Sequence, residues 1–297
     1  MENIHQRLRF QKVVCMTSQA ARDLIWAINS PSLIQSSIAH SPGWPACESV
    51  EFLSESVQDF CDQRDRHRVG QYFEDLVHFY LKAVRNYEIV EHGLQIQEGG
   101  RTVGELDFLY REAGGDLHHC ETAVKFYLYI PQANESGSQF IGPNAADNFE
   151  RKTQRLFEHQ LKLSEERFPS VVKREAFVKG RIFYHPLRDA PEELPTALAP
   201  DHLRGVWIRE SEVEWLKSSG ADTKFRAARK PLWLAPDVAT FDDAELRSAD
   251  EICGQLRRHF TERRTPQLIN ALITHDEFWQ ESQRIFVVSD QWPNDAH

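Results

Sequence analysis

The sequence predicts an α/β (mixed α+β) fold built on one mixed central sheet flanked by helices. Three observations predict it. Apolar residues recur at helical spacing before residue 85 and again near 150. Residues 86–131 switch to the loose alternation of strands, punctuated by glycine pairs at 99–100 and 114–115. The remainder holds short apolar runs and one more helical stretch.

SQAARDLIWAINSPSLI, from Ser18 to Ile34, reads as a helix stopped at Ser30-Pro31, with Leu24, Ile25 and Ile28 as its stripe. Residues 35–50 read as a loop and 51–61 as a short helix. RVGQYFEDLVHFYLKAVRN carries apolar residues at 69, 73, 76, 77, 80 and 84, one face of a helix, with Glu74 flanking that face. Strands are expected at 86–92 and 93–98, and more strongly at GELDFLYR (104–111) and HHCETAVKFYLYIP (118–131). Gly114-Gly115 makes the last two a hairpin. After a polar loop, 147–167 reads as one helix with Phe149, Leu156, Phe157 and Leu161 on a face. Strands follow at 178–186, 205–208, 231–236 and 284–288, with a helix at 243–263 and prolines 191, 195 and 200 marking a linker-like stretch. No internal repeat or low-complexity tract interrupts this order.

Composition narrows the class. A chain of 297 residues with 41% hydrophobic and 11% aromatic residues can bury a large core. Its net charge of −10 argues against indiscriminate nucleic-acid binding and leaves room for a local basic groove. Cysteines 15, 47, 61, 120 and 253 are odd in number and form no CxxC pair, so neither a disulfide-linked partner nor a structural zinc site is expected. MENIHQRLRFQKVV lacks an apolar run of signal-peptide length, and no stretch approaches bilayer-spanning length, so no membrane association is expected and the cytoplasm is the expected compartment.

The hairpin carries the chemistry. Strand alternation puts Glu121, Ala123 and Lys125 on one face and pairs Glu105 with Asp107 on the neighbouring strand. Asp107 can then meet Glu121 and Lys125, with Glu74 closing the group from the helix. Carboxylate oxygens are hard ligands suited to Mg²⁺ or Mn²⁺. Such an ion polarises a phosphoryl oxygen and acidifies bound water, and a lysine beside it offsets developing charge.

A helix glutamate in QYFEDL, then GELD, then a strand bearing a carboxylate and a lysine, then a helix, resembles the PD-(D/E)XK nuclease superfamily. More narrowly, RDLIWAINSPSLI, GELDFLY, AVKFYL, IGPNAAD and LFEHQL resemble a bacterial family described only as a domain of unknown function and grouped with that superfamily. The narrow resemblance spans most of the chain, and the nuclease-like part about residues 65–186. It implies a restriction-endonuclease-like core over 63–190, a helical N-terminal extension over 1–62 and an α/β C-terminal extension over 191–297 packed on the core. It implies Glu74, Asp107 and Glu121 as ligands of Mg²⁺ or Mn²⁺, Asp107, Glu121 and Lys125 as catalytic residues, and nucleic acid as substrate. Lys152, Arg155 and Gln160, on the following helix, would border the phosphate path.

One departure stands out. The superfamily carboxylate lies two residues before the lysine, and here that position is Ala123. Glu121 and Lys125 are four residues apart, so their Cα atoms lie roughly 13 Å apart in a regular strand, against roughly 7 Å for the usual spacing. A bulge, a reaching lysine, or a carboxylate from Glu150 or Glu158 could make good the difference. The alternative is a fold that has lost its metal site and binds nucleic acid or a protein partner.

Other groups carry less. His118 and His119 fall on opposite strand faces, which disfavours zinc, and Cys120 lacks the partners of a thiol nucleophile. Basic residues cluster at Arg64, Arg66 and Arg68; at Lys152, Arg155 and His159; at Lys173, Arg174, Lys179 and Arg181; and at Arg257, Arg258, Arg263 and Arg264. Such runs are ordinarily solvated faces, and the helical stripe is the one placed to meet a substrate. IGPN (141–144) matches no Walker-type phosphate loop. Trp207, Trp215, Trp233, Trp279 and Trp292 read as packing residues rather than a base-stacking platform.

Overall fold

A computed structural model describes residues 17–35, 40–48, 54–64, 67–131 and 137–294. Cys15, Arg66 and the start of the 51–61 helix lie outside the described residues. Among the described residues, helices flank a ten-stranded mixed sheet on both sides.

The first face is covered by α1 (Gln19–Asn29), α2 (Ser54–Asp62) and α3 (Val69–Phe79). Ser18 caps α1 by accepting from the Ala21 amide, and Pro31 prevents its continuation. Lys179, buried under the end of α1, donates to the carbonyls of Ile28 and Ser30. Leu24, Ala27, Phe73, Leu76 and Val77 pack on Phe108, Tyr110, Cys120 and Phe177 of the sheet. Asp23 of α1 is buried, and its carboxylate accepts from Tyr72 of α3 and from the Ala235 amide.

The strands begin with β1 (Glu88–Glu98), β2 (Arg101–Arg111) and β3 (Leu117–Tyr129), an antiparallel meander. β4 (Phe140–Ile141) pairs with the end of β3. β5 (Val171–Tyr184) runs parallel to β3, and β6 (Leu203–Arg209) parallel to β5. Beyond them lie β7 (Lys224–Ala227), β8 (Val238–Ala239), β9 (Gln267–His275) and β10 (Phe278–Val288). The spatial order is β1-β2-β3-β5-β6-β10-β9-β7, so β3 sits well inside the sheet. The second face carries α4 (Phe149–Arg155), α5 (Leu163–Arg167) and α6 (Ala249–Glu262).

Several expectations change. The strands at 86–92 and 93–98 are one strand, turned at Gly93 with φ of +64°. The helix at 147–167 is α4, a π-helical turn at Leu156–Gln160, and α5. The wider turn is closed by the Leu161 amide on the Leu156 carbonyl, 3.0 Å away. The helix at 243–263 starts later, at Ala249, where Ser248 and Glu251 form a capping box. PLWLAP (231–236) is not a strand, because the carbonyls of Trp233, Leu234 and Ala235 turn onto the Arg284 guanidinium instead of a ladder. β9 had no expectation, because its consecutive buried residues mask the strand period. Lys179 is not part of a solvated basic face.

Candidate active site at the fork of β2 and β3

β2 and β3 pair from Arg111↔Leu117 to Phe108↔Cys120, and there the ladder ends. The next residues outward are Asp107 and Glu121. Asp107 turns its carboxylate into the fork, where Oδ2 accepts from the Thr122 amide at 2.7 Å and the Thr122 hydroxyl at 3.2 Å. The Asp107 amide donates to Glu121 Oε1 at 3.4 Å. A carboxylate thus replaces a ladder bond, which explains an acid inside an apolar strand. Gly104 permits α5 to lie on β2, since a Cβ there would sit 2.4 Å from Leu163 Cδ1.

Glu121 is buried, and both its oxygens are engaged. Gln160 Nε2 donates to Oε2 at 2.6 Å, and His119 Nε2 lies 2.9 Å from Oε1. Behind His119, Ser164 Oγ is 2.9 Å from Nδ1 and accepts from Arg174 Nε at 3.0 Å. Ser164 therefore keeps its own proton for Nδ1. With Glu121 ionised, His119 carries its ring proton on Nε2 and donates it to Glu121. Burial drives the His119 pKa down to about 4, so the ring is neutral. Nothing in the residue types at 164 and 174 pointed to this chain, whereas the i, i+2 spacing of His119 and Glu121 did place those two on one face.

The two carboxylates are costly to ionise. Burial first, then the charges of Glu121 and Glu74, push Asp107 up to about 7. Burial also pushes Glu121 up to about 7, against the Asp107 amide, Lys152 and Gln160, which favour its charged form. Glu74 is thus within electrostatic reach of Asp107, although its Oε1 is 2.8 Å from His92 Nε2.

The remaining expected residues divide. Lys152 is half-buried, with Nζ 3.0 Å from Gln160 Oε1. Lys125 turns to Asp147, Nζ to Oδ2 at 2.6 Å, instead of to Glu121. Arg155 is exposed. Ala123 packs in the apolar cluster with Phe149 and Leu156. Glu150 bonds Ser138 and Glu158 bonds Gln154, so neither replaces a carboxylate at 123. His118 meets Glu175 and Tyr110 on the opposite face from His119. Trp207, Trp233 and Trp292 are buried.

With Lys125 and Asp147 paired off, the charges that act on Asp107 and Glu121 among the described residues include the carboxylates of Glu74 and Glu105 and the ammonium of Lys152. That excess of carboxylates suits a hard cation. Asp107 Oδ2 and Glu121 Oε1 each already accept two hydrogen bonds, whereas Glu121 Oε2 accepts one and retains a lone pair, and Mg²⁺ is commonly held by one or two carboxylates with water filling the other positions. Among the described residues, no three His, Cys, Asp or Glu side chains are already gathered in a metal-holding arrangement. Asp107 and Glu121 are the two residues here that could hold a cation, and the charge of Glu74 reaches Asp107.

No helix among the described residues is long and apolar enough to cross a membrane. Comparison with curated proteins and with solved structures finds no match. The model of a domain of unknown function, DUF1853, matches residues 22–288, and the chain belongs to that family.

Proposed function

We propose that the chain is a metal-dependent phosphodiesterase acting on nucleic acid, with its site at the fork of β2 and β3. The observation that carries this reading is the meeting of Asp107 and Glu121 where the ladder ends, with Thr122, His119 and Gln160 fixing their oxygens. The order helix-Glu74, strand-Asp107, strand-Glu121 and flanking helix resembles that of a PD-(D/E)XK nuclease. Asp107 and Glu121 would hold Mg²⁺ or Mn²⁺, with Glu74 assisting. The ion, when bound, supplies a Lewis acid for a phosphoryl oxygen and an acidified water. The chain's own residues keep Glu121 oriented, and Lys152 and Arg155 border the approach of a phosphate backbone. The resemblance gives the lysine role to Lys125.

The test is cleavage of a panel of DNA and RNA substrates with Mn²⁺. Asp107→Ala should lose at least about a hundredfold in rate, as expected for removal of a metal ligand. Equal cleavage by wild type and variant rejects the assignment. A second reading has its own support in Ala123, packed where the superfamily has a carboxylate. On that reading the fold binds nucleic acid or a protein without cutting. Calorimetry separates the two, because a binding module would take up no Mn²⁺ while still binding nucleic acid at low salt.

A further inference from the structure

We infer that Lys152, and not Lys125, is the lysine of the carboxylate site, its ammonium seated on Gln160 beside Glu121 and turned to the phosphate that the site would receive. The inference rests on the phosphodiesterase reading and reassigns one residue of it.

Lys125 is committed elsewhere. Its Nζ is 2.6 Å from Asp147 Oδ2, and the Tyr127 hydroxyl donates to the same oxygen at 3.4 Å. The backbone beneath it is fixed as well. Gly180 of β5 has φ of +154°, and a Cβ there would lie 1.9 Å from the Lys125 carbonyl oxygen. Lys125 and Asp147 line a cleft of about 340 Å³ together with Lys230 and Trp233, and neither Asp107 nor Glu121 lines it.

Lys152 is linked to the carboxylates through Gln160. Its Nζ is 3.0 Å from Gln160 Oε1, and Gln160 Nε2 is 2.6 Å from Glu121 Oε2. The amide can hold only this orientation. Turned over, its NH₂ would face the ammonium and its oxygen the carboxylate. The π-helical turn ends on Gln160, so the irregular helix and the Lys152–Gln160–Glu121 chain belong together. The charged groups acting on Lys152 are Lys125, Asp107, Glu121 and Asp147. Burial and Lys125 favour its neutral form, and the three carboxylates favour its charged form. An ammonium has three donors, and Gln160 engages one. Burial, the largest influence, leaves the Lys152 pKa below the usual lysine value, and its place beside the carboxylate pair leaves it further donors for a phosphoryl oxygen.

Acetylation of individual lysines by a limiting amine-reactive ester, followed by mass spectrometry, tests the placement without turnover. In Asp107→Asn or Glu121→Gln, each checked for native-like melting, loss of a neighbouring carboxylate should speed Lys152 labelling about tenfold and Lys125 labelling less than about twofold. Unchanged Lys152 labelling in both folded variants, or acceleration at Lys125 instead, overturns the inference. Cleavage supplies the second arm. Lys152→Met should lower kcat about a hundredfold with KM within about threefold, with part of kcat regained in Lys152→Arg and a several-fold smaller loss in Lys125→Met. A larger loss in Lys125→Met than in Lys152→Met also overturns it. A wild type that cleaves nothing rejects the phosphodiesterase reading, while the labelling still decides which lysine serves the carboxylates.

Discussion

The two ends of the sheet treat buried charge in opposite ways. Toward β9 and β10, the guanidinium groups of Arg284 and Arg226 are held by carboxylates and carbonyls. Arg284, 1% exposed, donates to both oxygens of Glu281 and to the carbonyls of Trp233, Leu234 and Ala235. Arg226 is clamped between Asp237 and Asp243. At the fork of β2 and β3, carboxylates crowd together, and what holds Glu121 is neutral: an imidazole, a side-chain amide and a backbone amide. The first arrangement closes charge on itself and staples a segment. The second crowds carboxylates that burial makes costly to ionise, which lowers stability as they charge.

The largest effect should come from breaking the closed arrangement. Arg284→Ala strands Glu281 and three carbonyls in the core, and should cost about 3–5 kcal/mol in denaturant unfolding, the range for a buried pair deprived of one partner. A cost below about 1 kcal/mol would mean that the segment 231–236 does not depend on Arg284, and the contrast would fail at its strong end.

The support behind Glu121 comes next. Ser164→Ala leaves His119 Nδ1 and Arg174 Nε without their shared hydroxyl, and should destabilise by about 1–3 kcal/mol, the cost of unsatisfied buried polar groups. It should also lower kcat, because Glu121 loses the ring that orients it. A Ser164→Ala protein with altered stability and unaltered kcat would make the His119 chain structural only.

The carboxylates themselves should respond with the opposite sign. Asp107→Asn keeps an acceptor for the Thr122 amide and removes a charge, so it should stabilise the metal-free protein at pH 8 by an amount on the order of 2 kcal/mol while abolishing cleavage. The pH dependence follows from the same residues. Asp107 rises from 3.8 to about 7 on folding, and Glu121 from 4.5 to about 7. Between those limits the folded state holds more protons than the unfolded chain. Their contribution is therefore fully present below pH 4, is lost as pH rises through 7, and is constant above. Asp107→Asn should make that decline shallower, and Mn²⁺ should offset it by neutralising the ionised pair. A stability profile that rises from pH 4 to 7, with no change in slope in the variant, would contradict this account of the fork.

Much of this arrangement was legible in the sequence. Asp107 and Glu121 were found because polar residues broke the apolar period of two adjacent strands at positions sharing a face. Gln160 was expected to border a substrate from its place on the helix after β3, whereas its amide bonds Glu121, and the π-helical turn that ends on it was not expected. The His119–Ser164–Arg174 chain was not legible, because it joins three elements distant in sequence through one hydroxyl. Lys125 was expected to meet Asp107 and Glu121, and for a related reason its ammonium pairs with Asp147. Alternation gave its face correctly, yet the partner on that face comes from Asp147, in a loop whose path the sequence did not fix. The strand expected at 231–236 failed similarly, since Arg284 lies about fifty residues further on.

The smallest expected effect is the sharpest check on the lysines. Lys125 and Asp147 are each about 30% exposed, 31% and 29%, so water screens their attraction. Lys125→Met keeps much of the aliphatic stem and should change stability by less than about 1 kcal/mol, as for a surface ion pair. A loss comparable to that of Arg284→Ala would place this pair among the closed arrangements of the other end of the sheet. A loss within the expected range leaves Lys125 as a partly solvated neighbour of the fork. The carboxylate pair would then depend for its positive charge on Lys152, whose contact with Gln160 ties it to Glu121.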